Sequence, residues 1–160
     1  MNNNKHHIVF LTGAGISQES GISTFRDANG LWNNHKIEEV ASPEGFEKNP
    51  ELVLDFYNAR RRQLDEVEPN EAHHLIAQLE TKYNVTVITQ NIDDLHERAG
   101  STNVLHLHGE LRKSRSSKNP NLIYDCNQDI KLGDLASDGN QLRPHIVWFG
   151  EAVTEIEKAI

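Results

Sequence analysis

Apolar residues along this chain fall into a few short runs and one helical stripe, separated by polar turns. Ile8-Val-Phe-Leu11 is a β-branched, apolar run of the kind that forms a strand buried in a parallel sheet. Val85-Thr-Val-Ile-Thr89 is a second such run, and Val104-Leu-His-Leu107 and His145-Ile-Val-Trp-Phe149 are two further strand candidates. Between the first two, Asn49-Pro50-Glu51 reads as a helix start, with Asn as cap, Pro in the first turn and an acid at the positive end. That helix is predicted to reach about Leu64. Asn70-Glu71 opens another, in which Ala72, Leu75, Ile76 and Leu79 recur at i, i+3, i+4 and i+7 and predict one buried face. Asp93 is placed to cap a short helix over 94–99, and Gly100 to end it. Strand, long helical excursion, strand, short helix, strand is the order of an α/β fold built on a Rossmann-like parallel sheet.

Composition narrows the classes. A length of 160 residues suits a single domain over 1–160. Sixteen basic against 24 acidic residues give a formal charge of −8, which argues against a nucleic-acid surface and suits basic, lysine-rich partners. A single Cys excludes a disulfide framework and fits a reducing compartment. Met1 to His7 has no apolar signal core, and no run of about 18 apolar residues offers a membrane span. The expected location is cytoplasmic. His6 and His7 point to opposite faces of a strand and do not suggest a metal site.

Gly13-Ala14-Gly15 directly follows the first strand, where small residues let backbone N–H groups approach a diphosphate ahead of a helix N-terminus. As a generic dinucleotide fingerprint it is incomplete. Gln18 stands where the third glycine belongs, and no acid closes a second strand about 20 residues later. A strand-turn-helix is the commoner meaning of such a turn alone. Asn91 and Asp93 follow the second strand, at the carboxyl end where open α/β sheets bind ligands, but an isolated Asn-x-Asp more often makes a turn and a cap. His106 and His108 each offer an imidazole that titrates near neutrality, and spacing does not choose between them as a general base.

The combination is more specific than its parts. The run from Gly13-Ala14-Gly15-Ile16-Ser17 through Glu19, Phe25-Arg26-Asp27-Ala28 and Trp32, followed by Gln90-Asn91-Ile92-Asp93 and His108-Gly109-Glu110, resembles the sirtuin family of NAD-dependent protein deacylases. The resemblance implies that these blocks bind NAD, with Gln90 to Asp93 holding its nicotinamide ribose and carboxamide. It implies that Phe25 shields the ribose, that Arg26 supports the phosphate side, and that His108 rather than His106 is the base. In the chemistry so implied, the acyl oxygen of a modified lysine attacks the ribose carbon that bears nicotinamide. Free lysine, nicotinamide and O-acyl-ADP-ribose result.

Tyr57 and Arg60 share a face of the first long helix, where a phenol and a guanidinium can grip a carboxylate together. The plainer meaning is Tyr57 in a core and Arg60, Arg61 and Arg62 in water. The pair is similar to the Tyr-x-x-Arg of sirtuins that remove succinyl and malonyl groups, with Ala28 as that class's small residue beside the acyl chain. Val147-Trp-Phe149-Gly150-Glu151 is similar to the family's peptide-binding strand, which works by strand addition.

The segment from about 110 to 143 is polar and reads as a small inserted module. Sirtuins carry two Cys pairs there for structural zinc, whereas this chain has Cys126 alone, so zinc is not expected. Leu122, Ile123, Tyr124, Ile130, Leu132 and Leu135 are the expected replacement core, and Cys126 is expected to be an inert thiol. The resemblance covers only the front of the family domain, which predicts an unpaired sheet edge and an uncovered apolar face. Two functions follow. One is a desuccinylase and demalonylase with weaker deacetylase activity; the other is a truncated, non-catalytic remnant that binds acyl-lysine peptide or part of NAD. ADP-ribosyl transfer is a lesser third.

Overall fold

The computed structural model describes residues 5–22, 31–32 and 34–160, the pair at 31–32 by backbone alone. Phe25, Arg26, Ala28 and the Trp32 side chain lie outside what is described. Strand β1 (His7–Thr12) leads into the four-residue helix α1 (Gly15–Gln18). The hairpin of β2 (Leu31–Trp32) and β3 (His35–Lys36) precedes helices α2 (Ile37–Val40), α3 (Pro43–Lys48), α4 (Pro50–Leu64) and α5 (Glu71–Leu79). Strand β4 (Asn84–Thr89), helix α6 (Leu95–Arg98) and strand β5 (Val104–His106) follow. The chain continues through β6 (Gly109–Ser116), β7 (Ile123–Asp125) and β8 (Leu142–Ile146) to a 3-10 helix over Thr154–Ala159.

The predicted parallel sheet forms in the order β1-β4-β5. Its register sets Thr12 beside Thr89 and Thr89 beside His106, so all three strands end on one line. Everything the chain places just after those ends therefore meets at one edge. Both long helices start as expected: Asn49 Oδ1 accepts from the Leu52 N–H at 3.1 Å, and Asn70 Oδ1 from the Ala72 N–H at 3.0 Å.

Three expectations need correction. First, β1 is not buried on both faces. Phe10 packs with Ile76, Val85 and Val87, while Val9 and Leu11 opposite are 52% and 69% exposed, because α5 covers one face and nothing among the described residues covers the other. Second, the buried face of α5 is turned from the predicted one. Ile76 is buried, but Ala72 and Leu75 are exposed and His73 is inside. His73 is drawn in because its Nδ1 accepts from the Asn70 N–H at 3.3 Å in a capping box and its ring meets His96 edge-on at 4.8 Å. Third, the fourth strand runs Leu142–Ile146, earlier than its apolar residues suggested, and pairs antiparallel with β6 in a second sheet, β7-β6-β8.

That second sheet carries the 110–143 module, and the module is not held by the expected apolar core. Ile130 is buried, but Ile123, Leu132 and Leu135 are 44%, 51% and 57% exposed. Polar tethers from α4 do the holding. Asn58 accepts from the Ile130 N–H and donates to the Ile130 carbonyl, both at 2.9 Å. Arg61 donates to the Leu111 carbonyl at 2.8 Å, to Asn58 Oδ1 at 2.8 Å and to the Gln128 carbonyl at 3.2 Å. Arg61 is thus 1% exposed, contrary to the expectation of a solvated side chain.

Candidate active site

The turn after β1 owes its glycines to space rather than to backbone strain. Neither Gly13 nor Gly15 has a positive φ. A Cβ on Gly15 would meet nothing within 4 Å, and one on Gly13 only Gln90 Oε1 at 3.9 Å. The backbone is therefore bare toward an open approach, the condition a diphosphate needs. Behind it Ser17, 1% exposed, donates to Asp93 Oδ2 at 2.9 Å and accepts from Asn91 Nδ2 at 3.1 Å. Asn91 Nδ2 also reaches the Gly13 carbonyl at 3.2 Å, tying the β1 and β4 turns together. Asp93 is not the helix cap expected of it: α6 starts one residue later, with Asp94 at the cap position, and Asp93 Oδ1 accepts from the Leu95 N–H two residues on, closing a turn. Burial pushes the Asp93 carboxyl up, and the Ser17 hydrogen bond opposes that shift.

Geometry separates the two histidines that spacing could not. His108 Nδ1 lies 3.0 Å from the Gln90 carbonyl, which can only accept, so Nδ1 carries the proton and Nε2 keeps its lone pair. His108 is half-buried and lines a cavity of about 470 Å³ at the carboxyl edge. His106 points the other way, into a buried contact with the Asn91 carbonyl and Glu97, each at 2.8 Å. Gly109 fixes the turn between them. Its φ is +83°, and a Cβ there would sit 2.0 Å from the His145 carbonyl oxygen.

The cavity gathers most of the residues expected at the site: Ala14, Ser17, Gln90, Asn91, Ile92, Asp93 and His108 on the sheet side, Val147, Phe149, Gly150 and Glu151 opposite, and Tyr57 from α4. Glu19 is exposed beyond α1, and Ile16 packs beneath the turn against the α5 core. Arg60 does not line this cavity. It borders a second hollow of about 520 Å³ with His35, Asp55 and Phe56, its guanidinium 4.4 Å above the Phe56 ring. Burial pulls its pKa down to about 10, with Tyr57 acting in the opposite sense. Burial likewise pushes the Tyr57 phenol up.

Several residues that shape the site escaped sequence reasoning. Trp148 donates its indole N–H to the Tyr57 hydroxyl at 3.0 Å and stacks under the Arg143 guanidinium. Glu151, an expected site residue that lines the cavity, also accepts from Arg143 at 2.7 Å, from Arg115 at 3.1 Å and from the Trp148 N–H at 2.8 Å, partners that nothing in the sequence marked. Burial raises the Glu151 pKa, but these bonds, that from Arg143 first, leave it below the usual carboxylate range. Arg143 precedes a proline in a polar stretch, and nothing local marks it as structural. Cys126 is half-buried and directs its thiol to the Gln128 carbonyl. Among the described residues no group of three or more His, Cys, Asp or Glu side chains converges on one point. No helix among them is long and apolar enough to cross a membrane.

Comparison with known proteins bears on the family and the fold as a whole. The model of the Sir2 family matches residues 13–160. An NAD-dependent protein deacylase of Helicobacter pylori is 65% identical over 154 residues, which cover 96% of this chain and 67% of that protein. A solved Sir2 homologue in complex with ADP-ribose superposes with a TM-score of 0.86 at 43% identity, over 98% of this chain and 65% of that one. A Sir2 homologue in complex with NAD superposes with a TM-score of 0.83 at 43% identity, over 98% and 63%. The chain thus spans about two thirds of the length of the relatives it matches.

Proposed function

Because the chain belongs to the Sir2 family, whose similar relatives bear the name NAD-dependent protein deacylase, we propose that it is an NAD-dependent deacylase of lysine side chains. The cavity at the carboxyl edge is where NAD and the acylated lysine meet, in one catalytic domain with the β6–β8 module inserted. The observation that carries this reading is His108, with Nδ1 tied to the Gln90 carbonyl and Nε2 offered to a cavity walled by Asn91, Asp93 and Ser17.

The residues present fit NAD. The bare Gly13–Gly15 backbone admits a diphosphate, and the Asn91, Asp93 and Ser17 cluster offers hydrogen-bonding groups for an amide and a ribose. Bound NAD supplies an electrophilic ribosyl carbon with nicotinamide as leaving group. His108 Nε2 accepts a proton from a hydroxyl brought to the cavity, while the Gln90 carbonyl keeps the ring oriented as it gains charge. Ile22, Ala41, Ile146 and Trp148 form the apolar part of the wall and limit water. The peptide lies along 147–150. The N–H groups of Val147, Trp148 and Phe149 already bond His108, Glu151 and Ala41, so peptide recognition there depends on carbonyls and side chains.

Preference for succinyl and malonyl over acetyl groups belongs to the same proposal. Tyr57 is on the cavity wall, and Arg60 follows one helical turn later, close enough for each to act electrostatically on the other. No structural zinc takes part. The test is nicotinamide release from NAD with succinyl-lysine and acetyl-lysine peptides, on protein that melts cooperatively. Faster release with the succinyl peptide is expected, and folded protein that neither binds NAD nor releases nicotinamide would overturn the proposal.

A further inference from the structure

His106, at the end of β5, does not line the cavity, yet both of its ring nitrogens face acceptors. Nδ1 is 2.8 Å from the Asn91 carbonyl oxygen and Nε2 is 2.8 Å from Glu97 Oε1. A carbonyl cannot donate, and an ionised carboxylate cannot either. The ring satisfies both partners only with both nitrogens protonated; a neutral imidazole has one N–H and would turn a lone pair toward one of the two oxygens. Asn91 is the residue whose side chain links the Gly13 carbonyl to Ser17, and through Ser17 to Asp93. The His106 contact therefore bears on the whole polar floor of the cavity.

We propose that His106 is a positioning residue that, as an imidazolium bridging Glu97 and the Asn91 carbonyl, clamps the 90–93 loop in its ligand-ready form and releases it on deprotonation. The effect on cofactor affinity rests on the reading of the cavity as an NAD site; the clamp itself rests on the ring geometry. Groups on every neighbouring element act on the ring. From α6 Glu97 favours its charge and His96 opposes it, Asp93 on the loop attracts it, and Glu110 on β6 favours it. Burial opposes the charge most, but the Glu97 hydrogen bond and charge, with the Asn91 and Glu110 contributions, more than offset it and the pKa ends raised. The sign follows. The clamp is fully present below the ordinary histidine value of about 6.5 and is lost as pH rises through the higher folded value. Its acid limit is set by Glu97: burial, the largest single influence, pushes its carboxyl up, but the His106 hydrogen bond and charge, with smaller backbone and His96 contributions, together leave it below the usual carboxylate range.

The test is a pH titration of the isotope-labelled 160-residue chain by NMR, following the His106 ring nitrogens and the backbone amides of Asn91, Ile92 and Asp93, alongside NAD affinity by calorimetry. Both ring nitrogens should be protonated at pH 6, and the loop amides should shift with the ring's midpoint. Glu97→Gln keeps an oxygen acceptor but removes the charge, and should lower that midpoint by about one pH unit. NAD affinity should fall roughly tenfold across the same midpoint, the scale of one charge-assisted hydrogen bond lost. A singly protonated ring at pH 6, loop amides that ignore the ring, or an unmoved midpoint in Glu97→Gln would each overturn the clamp. NAD binding that ignores the ring's titration would overturn the positioning role. If ring and loop titrate together while NAD binds at no pH, the clamp stands and the assignment of the cavity to NAD is what fails.

Discussion

Arg61→Met tests how the β6–β8 module is attached to the rest of the molecule. Methionine keeps most of the stem volume and removes the guanidinium, so the loss is chiefly of hydrogen bonds. Three are lost, to Leu111, Asn58 and Gln128. They are not equal. Asn58 Oδ1 still receives the Ile130 N–H, and Gln128 is exposed enough for water to replace the longest of the three bonds. The Leu111 carbonyl belongs to a residue only 4% exposed and is left without its donor, which costs about 1–3 kcal/mol. Loss of the bond to Asn58 adds about 1 kcal/mol, and relief from burying a charge offsets part of the total. A net destabilisation of about 1–3 kcal/mol corresponds to a fall in Tm of roughly 2–12 °C for a chain of this size. Arg62→Met is the control, because Arg62 is exposed and pairs with Asp129 at the surface, a contact worth about 0–1 kcal/mol. Thermal unfolding followed by circular dichroism reads both variants. Equal Tm values for the two would mean that Arg61 is not the tether its geometry describes.

Four other outcomes are expected. His108→Ala should lower nicotinamide release by at least about 100-fold with little change in Tm, since a half-buried base tied to the Gln90 carbonyl contributes to chemistry more than to stability; a Tm loss as large as that of Arg61→Met would point to a structural role instead. Arg60→Met should lower kcat/KM for succinyl-lysine peptide by roughly 10-fold to 100-fold and leave the acetyl reaction nearly unchanged, with Arg62→Met inert in both; parallel losses on the two peptides would refute the acyl assignment. His96 is pulled down to about 4, by burial first and then by His73, so its neutral form is bound in the fold; stability should decline as pH falls from about 6.5 toward 4, and His96→Gln should flatten that decline in Tm against pH. Chelation should leave Tm unchanged, and elemental analysis that finds about one zinc per chain would contradict the reading of Cys126.

Local chemistry along the chain determined much of the framework. The apolar runs placed β1, β4 and β5, and the Asn-Pro-Glu and Asn-Glu starts placed α4 and α5, because strands and caps depend on neighbours in sequence. The site blocks were legible for the same reason: each is a contiguous run that follows a strand, and the flush strand ends bring such runs to one edge. Tertiary structure decided what depends on partners far along the chain. Spacing could not separate His106 from His108, because the difference is which carbonyl each ring meets, Asn91 or Gln90. Three consecutive arginines looked alike until α4 was packed, when Arg60 stacked on Phe56, Arg61 went under the module and Arg62 stayed outside. The expected apolar core of the module failed for a related reason: hydrophobicity marks residues able to be buried, but whether Ile123, Leu132 and Leu135 are covered depends on what lies opposite them, and Asn58 and Arg61 had already supplied the attachment by hydrogen bonds.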